Sequence, residues 1–544
     1  MKATKRIFSV FLTCVLAFTM AFAMGLTASA ADYTITITKP EGDIDRTYEA
    51  YQIFQGNLSG NTLSDIEWGT GINGAAFLDE LKKNAPFTSC TDAKTVAEKL
   101  ATFENNSDGA VAFAKLAGKF LTTATGSATA TSSATGKITV PAAGYYLLKD
   151  VTDVTTPHDA LSLNILKVVQ DVEVNPKADH PSVDKKIGTD ISTGAAANTA
   201  TIGDKVPFVI KSNVPKMQGY TKYFFVLNDS MTAGLTYNKD VAIKIGATTL
   251  AADAYDVVYD DTANTMKIVI KNFIQYKSEA GKDIVVTYSA TLNEKADLTQ
   301  AGNKNTVKLT YSNNPNVDYK GDNEPDTTDP VGETPEHVTV TYSTKLQLTK
   351  VDGADPNEKL EGVEFQITGT SIKTAVSKGD YFKQDAAGTY YQLKDGTFTE
   401  TAPTAETGSK YVSTSVKYAK VTDTAEQTKM QKVTASGTTD ANGLITFEGL
   451  GAGTYYITEL KTKSGYNLLT APITVTITAA PSATGCSWTV STNAAFEDDM
   501  VKLTVENNKG SVLPITGGIG TTIFYVIGGL LVCGAVVMAI TKKK

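Results

Sequence analysis

Short segments of alternating polar and apolar residues dominate the chain between residues 31 and 512. Typical runs are YTITITK (33–39), KDIVVTYSATL (282–292) and VKLTVENN (501–508), with Gly, Asn and Asp between such runs. Alternation with a period of two residues predicts half-buried β-strands, and Gly, Asn and Asp are typical of the turns that join them. Many short strands at regular spacing indicate tandem β-sandwiches, so the predicted fold class is mainly β.

One region departs from this pattern. Residues 75–84, 92–103 and 109–121 carry apolar residues at helical spacing. A Thr/Ser/Ala/Gly-rich stretch (122–136) follows, and strand-like segments then resume. We therefore predict that residues 31–177 form a β domain with a helical insertion.

The remaining strands divide into two further modules, predicted at 178–336 and 337–512. Residues 314–336 are acidic and contain several prolines, which is typical of a long connector. Weak internal similarity supports repeated modules, because GKITVPAAGYYLLKD (136–150) resembles GLITFEGLGAGTYYITE (443–459). The sequence thus predicts two or three related sandwiches in a row.

The first 30 residues have the features of a secretory signal. Basic residues precede an apolar stretch that ends in Ala28-Ser29-Ala30, and cleavage after Ala30 is expected. The alternative is an uncleaved membrane anchor.

The other end of the chain combines three features in order. LPITGG (513–518) precedes 22 mostly apolar, uncharged residues (519–540) and a final TKKK. Such an apolar segment is long enough to span a bilayer, and the lysines favour a cytoplasmic tail. This order resembles the sortase sorting signal of Gram-positive bacteria, whose motif corresponds here to Leu513, Pro514, Ile515, Thr516 and Gly517. The alternative is a permanent single-span protein.

The sorting-signal resemblance implies a reaction at the motif. A membrane-bound transpeptidase is expected to cut between Thr516 and Gly517 and to pass the Thr516 acyl group to an amine.

Composition argues against several other functions. The net charge is −8, whereas a nucleic-acid partner requires a basic face. The three histidines lie far from each other and from cysteine, so we expect no metal site and no cofactor. Nothing in the spacing of Cys90 and Cys486 supports a disulfide, although a bridge between them stays open.

Lysine and asparagine occur at positions that the alternation places on apolar faces. Lys185 shares its face with Val183 and Ile187, and Lys350 shares its face with Leu346 and Leu348. Asn305 and Asn507 have equivalent positions in NTVKLTYS and VKLTVENN. A buried amine or carboxamide is costly unless it is paired. The alternative without a functional role is that each lysine extends its amine to solvent and each asparagine lies in an exposed turn.

One reaction removes this cost. Burial lowers the pKa of an amine and makes it a neutral nucleophile. If the amine lies against an Asn carboxamide beside a buried acid, it can form a Lys–Asn amide and release ammonia, with proximity supplying much of the rate.

Residues 181–512 resemble the B-type (Cna B-type) domains of collagen adhesins and the isopeptide-forming domains of backbone pilins. The resemblance implies immunoglobulin-like sandwiches with Lys on the first strand, Asn on the last and an acid between them. It implies a Lys185–Asn305 bond promoted by Asp229, and a Lys350–Asn507 bond promoted by Glu459. The segment GTYYITELKTKSGYNLL (453–469) is similar to the pilin E-box, although Lys463-Ser464 replaces its usual Ala-Pro.

Alternatives remain for the first pair. Alignment of the two last strands places Asn313 opposite Asn507, and Lys186 is the rival of Lys185. In the first domain Lys39 lies at a comparable strand end, but no partner Asn is evident, and we predict no bond there.

The segment VVQDVEVNPKADHP (168–181) resembles the pilin motif, with Asn175 in place of its Tyr. The resemblance implies that a pilin-type sortase joins Lys177 of one subunit to the Thr516 acyl group of the next. Pro176 should end the preceding strand and let Lys177 project from a domain junction.

The order of these motifs predicts the backbone subunit of a sortase-assembled, wall-anchored pilus (fimbrium) that supports cell adhesion. The expected partners are a pilin-type sortase, further copies of the chain, and a housekeeping sortase with peptidoglycan; accessory pilins and a host ligand stay open. Its chemistry would be self-directed, so we do not predict an enzyme. The alternatives are a non-polymerised or accessory wall-anchored adhesin, and a secreted enzyme with accessory sandwiches.

Overall fold

The computed structural model describes the chain from residue 32 to residue 510 with a few gaps. The described ranges are 32–39, 44–59, 62–154, 159–168, 170–175, 178–369, 371–393, 396–402, 416–491 and 493–510. The predicted signal peptide, Lys177 and the entire predicted sorting signal therefore lie outside the described residues.

The chain divides into two compact units. The first lies within residues 1–343 together with 479–487, and the second lies within residues 344–478 and 488–544.

The N-terminal part of the first unit combines two sheets with three helices. Its strands are β1 (Tyr33–Ile37), β2 (Arg46–Ser59), β3 (Thr62–Trp68), β4 (Gly126–Ala130), β5 (Gly136–Val140), β6 (Gly144–Asp150), β7 (Ile165–Val168) and β8 (Val172–Val174). They form the sheets β5-β1-β8 and β3-β2-β6-β7, with β4 paired to β2. Strand β8 runs parallel to β1 and ends at Val174, as the sequence predicted for the residues before Pro176.

The helices are α1 (Gly74–Leu81), α2 (Ala93–Leu100) and α3 (Asp108–Ala117). Each begins after a residue whose side chain accepts a hydrogen bond from the first turn, namely Asn73, Asp92 and Ser107. Their apolar faces pack around Phe54, Phe77 and Phe113. The predicted helical insertion thus forms a second apolar core beside the strands.

The rest of the first unit is a β-sandwich. Its strands are β9 (Asp184–Ile187), β10 (Ala197–Thr199), β11 (Lys205–Asn213), β12 (Phe225–Met231), β13 (Leu235–Tyr237), β14 (Ala242–Ile245), β15 (Thr248–Thr249), β16 (Tyr255–Asp260), β17 (Thr265–Ile270), β18 (Asp283–Leu292), β19 (Asn303–Ser312), β20 (Val331–Glu333) and β21 (His337–Tyr342). One sheet has the order β10-β21-β19-β12-β17-β16, with β20 paired to β19. The other has the order β15-β14-β18-β11-β9, with β13 paired to β18. We call this the middle sandwich.

The segment predicted as a connector is more structured than the sequence indicated. Strand β20 lies within it and pairs with β19. Strand β21, which the sequence pattern places in the third module, also pairs with β19. The proline and acidic residues at 314–336 are typical of loops, so the composition of this segment did not predict a strand.

The elements from residue 344 onward form the C-terminal sandwich. Its elements are β22 (Thr344–Asp352), β23 (Glu364–Thr368), β24 (Thr374–Ser377), β25 (Asp380–Gln384), β26 (Tyr391–Gln392), β27 (Phe398–Thr399), β28 (Tyr418–Val421), α4 (Thr424–Met430), β29 (Ser436–Thr438), β30 (Leu444–Leu450), β31 (Gly453–Lys461), β32 (Ile473–Ser482), β33 (Gly485–Val490), β34 (Ala494–Glu497) and β35 (Met500–Asn507). The main sheets are β30-β22-β35-β34 and β29-β23-β31-β32-β33. The fold is therefore mainly β, as predicted.

Three further findings concern the described residues alone. Cys90 and Cys486 are both buried and free. None of the helices in these ranges is long and apolar enough to cross a membrane. Within the same ranges, no group of three or more His, Cys, Asp or Glu residues could hold a metal ion.

Candidate functional site

Lys185 enters the interior of the middle sandwich from the short strand β9. Alternation along this strand buries Lys185 and Ile187, and Lys185 is only 2% exposed. Its Nζ lies 5.6 Å and 5.7 Å from the ring centroids of Phe208 and Tyr288. The amine is therefore held in aromatic surroundings that exclude water.

Two polar side chains of the opposite sheet meet this amine. Lys185 Nζ donates to Asp229 Oδ2 at 2.6 Å and also to Asn305 Oδ1. Asp229 lies on β12 and Asn305 on β19, where the register sets Asp229 opposite Val307 and Met231 opposite Asn305. Asp229 and Asn305 are 2% and 0% exposed. The structure thus brings the three predicted residues together between the two sheets.

Two tyrosines complete the hydrogen bonding of this cluster. Tyr237 Oη donates to Asp229 Oδ1 and Tyr288 Oη donates to Asp229 Oδ2, both at 2.7 Å. Asn305 Nδ2 donates to Tyr288 Oη at 3.0 Å. The carboxylate and the carboxamide are therefore joined through one tyrosine hydroxyl.

Burial dominates the protonation equilibria here. It lowers the pKa of Lys185 to about 8, although the charge of Asp229 and its hydrogen bond oppose the shift. Burial, followed by the Asp229 charge, raises the pKa of Tyr288 and of Tyr237 far above the usual range. The lysine can thus be a neutral amine at moderate pH, whereas both tyrosines keep their protons.

The C-terminal sandwich positions its lysine and asparagine differently. Strands β22 and β35 are parallel neighbours in one sheet, with Lys350 opposite Val505 and Asp352 opposite Asn507. Lys350 is fully buried, and its Nζ donates to Val505 O at 3.1 Å. Burial lowers the pKa of Lys350 to about 8, against the opposing charges of Glu459 and Glu506.

The acid of this second cluster comes from the facing sheet. Glu459 on β31 is 3% exposed, and its Oε1 accepts from Asn507 Nδ2 at 2.7 Å. Its Oε2 accepts from Leu469 N at 2.8 Å, and Asn507 Nδ2 also donates to Thr462 Oγ1 at 2.7 Å. Asn507 Oδ1 is buried without a hydrogen-bond partner. A buried carbonyl oxygen without a hydrogen bond raises the free energy of the folded state, and a hydrogen-bond donor that reached Asn507 Oδ1 would remove this cost.

A charged cluster that sequence reasoning missed surrounds the end of β35. Asp352 Oδ2 accepts from Lys509 Nζ and from Tyr466 Oη, each at 2.8 Å, and Glu358 contacts both of these donors. The hydrogen bond from Lys509, followed by that from Tyr466, lowers the pKa of Asp352 strongly. The cluster holds the last strand beside the first, two residues beyond Asn507.

The rival residues lie elsewhere. Lys186 is part-exposed and pairs with Asp184 at 4.0 Å, and the backbone oxygen of Asn313 accepts from Leu161 N. In the first domain Lys39 pairs with Asp45 at 3.4 Å. Arg46 is a fully buried cation of that domain and pairs with Asp150 and Asp159, and Lys115 is also buried and pairs with Asp318. A guanidinium does not lose its proton in proteins, so Arg46 cannot act as a nucleophile.

Tyr237 and Tyr288 were also missed, although a signal for them exists. Tyr288 shares the inward face of β18 with Ile284 and Val286, and a hydroxyl on such a face must find a partner. The sequence alone does not say which of the many tyrosines reaches the buried acid, because that depends on how the two sheets face each other.

Comparison with known proteins agrees with this architecture. Residues 202–315 match the family model described as Gram-positive pilin backbone subunit 2, Cna-B-like domain. Residues 344–491 match the model of a prealbumin-like fold domain.

Two relatives are similar over most of the chain. The "Trypsin-resistant surface T6 protein" of Streptococcus pyogenes is 26% identical over 404 residues, which cover 68% of this chain and 70% of the relative. The solved structure of the T6 backbone pilin of S. pyogenes, described as having a modular three-domain structure, shares 16% identity. It covers 89% of this chain and 100% of that one with a TM-score of 0.54, which supports the same fold.

The fold and the matched models define a protein of tandem Cna-B-like and prealbumin-like β-sandwiches. More particularly, residues 202–315 are similar to the backbone subunits of Gram-positive pili, and the chain is similar over most of its length to the T6 surface protein of S. pyogenes.

Proposed function

We propose that this protein is the shaft subunit of a covalent cell-surface pilus, exported and finally anchored to the cell wall. A pilin-type sortase joins the Thr516 acyl group of one copy to Lys177 of the next, and internal Lys–Asn bonds stiffen each subunit. Similarity to the Gram-positive pilin backbone model and to the T6 protein supports the role in the shaft, and the sorting-signal motif supports the chemistry of assembly.

The observation that carries the internal-bond proposal is the position of the Lys185 amine. Its Nζ is buried, touches Asn305 Oδ1 and lies 2.6 Å from Asp229 Oδ2. An amine held against a carboxamide beside a proton acceptor meets the requirements for amide exchange: nucleophile, electrophile and general acid–base. Lys185 forms a bond to Cγ of Asn305, the bond from Cγ to Nδ2 breaks, and ammonia leaves.

Lys350 and Asn507 form the second bond by the same reaction. Glu459 already accepts a hydrogen bond from the nitrogen that must leave, so its protonated form is placed to deliver a proton there. The unpaired Oδ1 of Asn507 supports this assignment, because nothing else in its surroundings satisfies the carboxamide oxygen. To react, the Lys350 amine exchanges its hydrogen bond to Val505 O for an approach to Asn507 Cγ.

The two bonds connect different parts of a sandwich. The Lys185–Asn305 bond joins strands of opposite sheets, whereas the Lys350–Asn507 bond joins parallel neighbours in one sheet. The first resists separation of the sheets, and the second prevents β35 from sliding along β22 under tension. Both functions suit a subunit that transmits force along a shaft.

Intact mass of the chain from residue 32 to 510 tests the internal bonds. Each bond removes one ammonia, about 17 Da, so two bonds predict a deficit of about 34 Da, and peptide mapping should recover both cross-linked pairs. An unshifted mass would contradict the proposal.

Polymerisation is tested separately in the producing cell. Lys177→Ala should abolish the high-mass ladder of wall extracts on a denaturing gel, whereas Lys216→Ala, which alters an exposed lysine of the middle sandwich, should leave the ladder intact. A ladder that survives in the Lys177→Ala strain would exclude Lys177 as the acceptor and favour a non-polymerised or accessory adhesin.

A further inference from the structure

The acid of the middle sandwich does not touch the nitrogen that must leave. The two oxygens of Asp229 accept from Lys185, Tyr237 and Tyr288, and the carboxamide of Asn305 is bonded instead to Lys185 and Tyr288. A proton held on Asp229 therefore has no direct path to Asn305 Nδ2.

The hydroxyl of Tyr288 bridges this gap. Its oxygen lies 2.7 Å from Asp229 Oδ2 and 3.0 Å from Asn305 Nδ2, both within reach of proton transfer. The residue is 4% exposed, so water does not compete for the position. A hydroxyl that both accepts and donates a proton can pass one along without changing its own charge.

The C-terminal sandwich provides an internal comparison. There Glu459 Oε1 lies 2.7 Å from Asn507 Nδ2, and the acid reaches the leaving nitrogen directly. The same connection between acid and leaving group is thus made by one hydrogen bond in the C-terminal sandwich and by two, through Tyr288, in the middle one.

We propose that Tyr288 is a catalytic residue that relays a proton from Asp229 to the leaving nitrogen of Asn305. This inference rests on the proposed Lys185–Asn305 bond and adds a group to its mechanism. The C-terminal sandwich needs no such relay, because Glu459 already contacts the leaving nitrogen of Asn507.

The relay balances as follows. The Lys185 ammonium first gives one proton to Asp229, and the neutral amine attacks Asn305 Cγ to form the new carbon–nitrogen bond. The hydrogen bonds of Tyr288 then reverse: Asp229 gives its proton to the Tyr288 oxygen as Tyr288 gives its own proton to Nδ2. The bond from Cγ to Nδ2 breaks, ammonia leaves, and Asp229 takes up the second proton from Nζ and ends as a neutral acid.

Tyr237 is a matched control, because its hydroxyl also donates to Asp229 at 2.7 Å but has no hydrogen bond to Asn305. Tyr288→Phe and Tyr237→Phe each remove one hydrogen bond from the same carboxylate. A role limited to orienting Asp229 predicts similar effects for both variants, whereas a relay predicts a large effect for Tyr288→Phe alone.

The experiment uses the chain from residue 32 to 510 and follows intact mass after rapid purification and during incubation. Removal of a general acid–base group slows a reaction by about 100-fold or more. Tyr288→Phe should therefore show a deficit of about 17 Da, from the C-terminal bond alone, when Tyr237→Phe and the unaltered chain have reached about 34 Da. Peptide mapping should locate the missing bond at Lys185.

Each other outcome is decisive. Equal rates in Tyr288→Phe and the unaltered chain, or equal slowing in both variants, would overturn the relay and leave the proposed bonds intact. If the unaltered chain shows no deficit, the proposed function itself fails. If Tyr288→Phe shows no cooperative unfolding transition, replacement of Tyr288 by 3-fluorotyrosine supplies the second test. Its more acidic hydroxyl should change the rate at which the mass deficit develops, whereas the same replacement of Tyr237 should not. An unchanged rate with 3-fluorotyrosine at position 288 would overturn the relay.

Discussion

Asn305→Ala isolates the mechanical contribution of one proposed bond. The substitution removes the electrophile but leaves Lys185 paired with Asp229, so no unpaired charge is buried. The lost bond closes a loop between residues that are 120 positions apart. On the loop-entropy model for cross-links, such a closure contributes about 5 kcal/mol to the free energy of unfolding.

The assay is calorimetric unfolding of the chain from residue 32 to 510, with intact mass measured on the same sample. For a domain of this size 1 kcal/mol corresponds to about 2–4 °C, so the transition of the middle sandwich should fall by about 10–20 °C. Asn228→Ala is the control, because Asn228 precedes Asp229 on β12 and its side chain donates to Thr310 Oγ1. Loss of this hydrogen bond should lower the free energy of unfolding by about 1 kcal/mol while the Lys185–Asn305 bond still forms. A shift below about 3 °C in a sample that lacks one bond by mass would refute the entropic reasoning.

Two further predictions concern the acids and the protonation of the buried amine. Glu459→Gln should form only the middle bond, with a mass deficit of about 17 Da, because an amide cannot exchange the proton that the leaving nitrogen needs; a deficit of two ammonia molecules in this variant would exclude Glu459 as the promoting acid. In Asn305→Ala the Lys185 amine persists, and burial lowers its pKa from 10.5 to about 8, so the folded state binds the Lys185 proton more weakly than the unfolded chain does. The variant should therefore lose stability beyond the loss of the cross-link as the pH falls below about 10.5 and through about 8, and this additional loss should vanish above about pH 10.5. Denaturant midpoints at pH 7, 8.5 and 10 measure this difference, and a pH-independent difference would contradict the assigned cause.

The position of the proposed bonds within each sandwich follows from topology more than from composition. Both clusters combine a buried lysine, a buried acid and a buried asparagine, yet the acid contacts the nucleophile in one and the leaving group in the other. The difference arises because Lys185 and Asn305 belong to opposite sheets, whereas Lys350 and Asn507 belong to adjacent parallel strands.

Several features could be predicted from local pattern. The period-two alternation placed Lys185, Asn305, Lys350 and Asn507 on inward faces, and each is at most 2% exposed in the structure. Strand alternation is a property of the backbone, so a residue's face can be read without knowledge of its neighbours in space. The helical insertion was predictable for the same reason, since its apolar spacing differs from that of strands.

The sequence by itself determined the mainly β class, the helical insertion and the residues that the strands turn inward, because these depend on periodicity along the chain. Only the tertiary structure decided that β20 and β21 pair with β19, that Asn305 rather than Asn313 lies against Lys185, and that Tyr288 connects Asp229 with Asn305. These relations join residues that are far apart in sequence. They depend on strand order, on register and on how the two sheets pack against each other, and no local sequence pattern encodes these three properties.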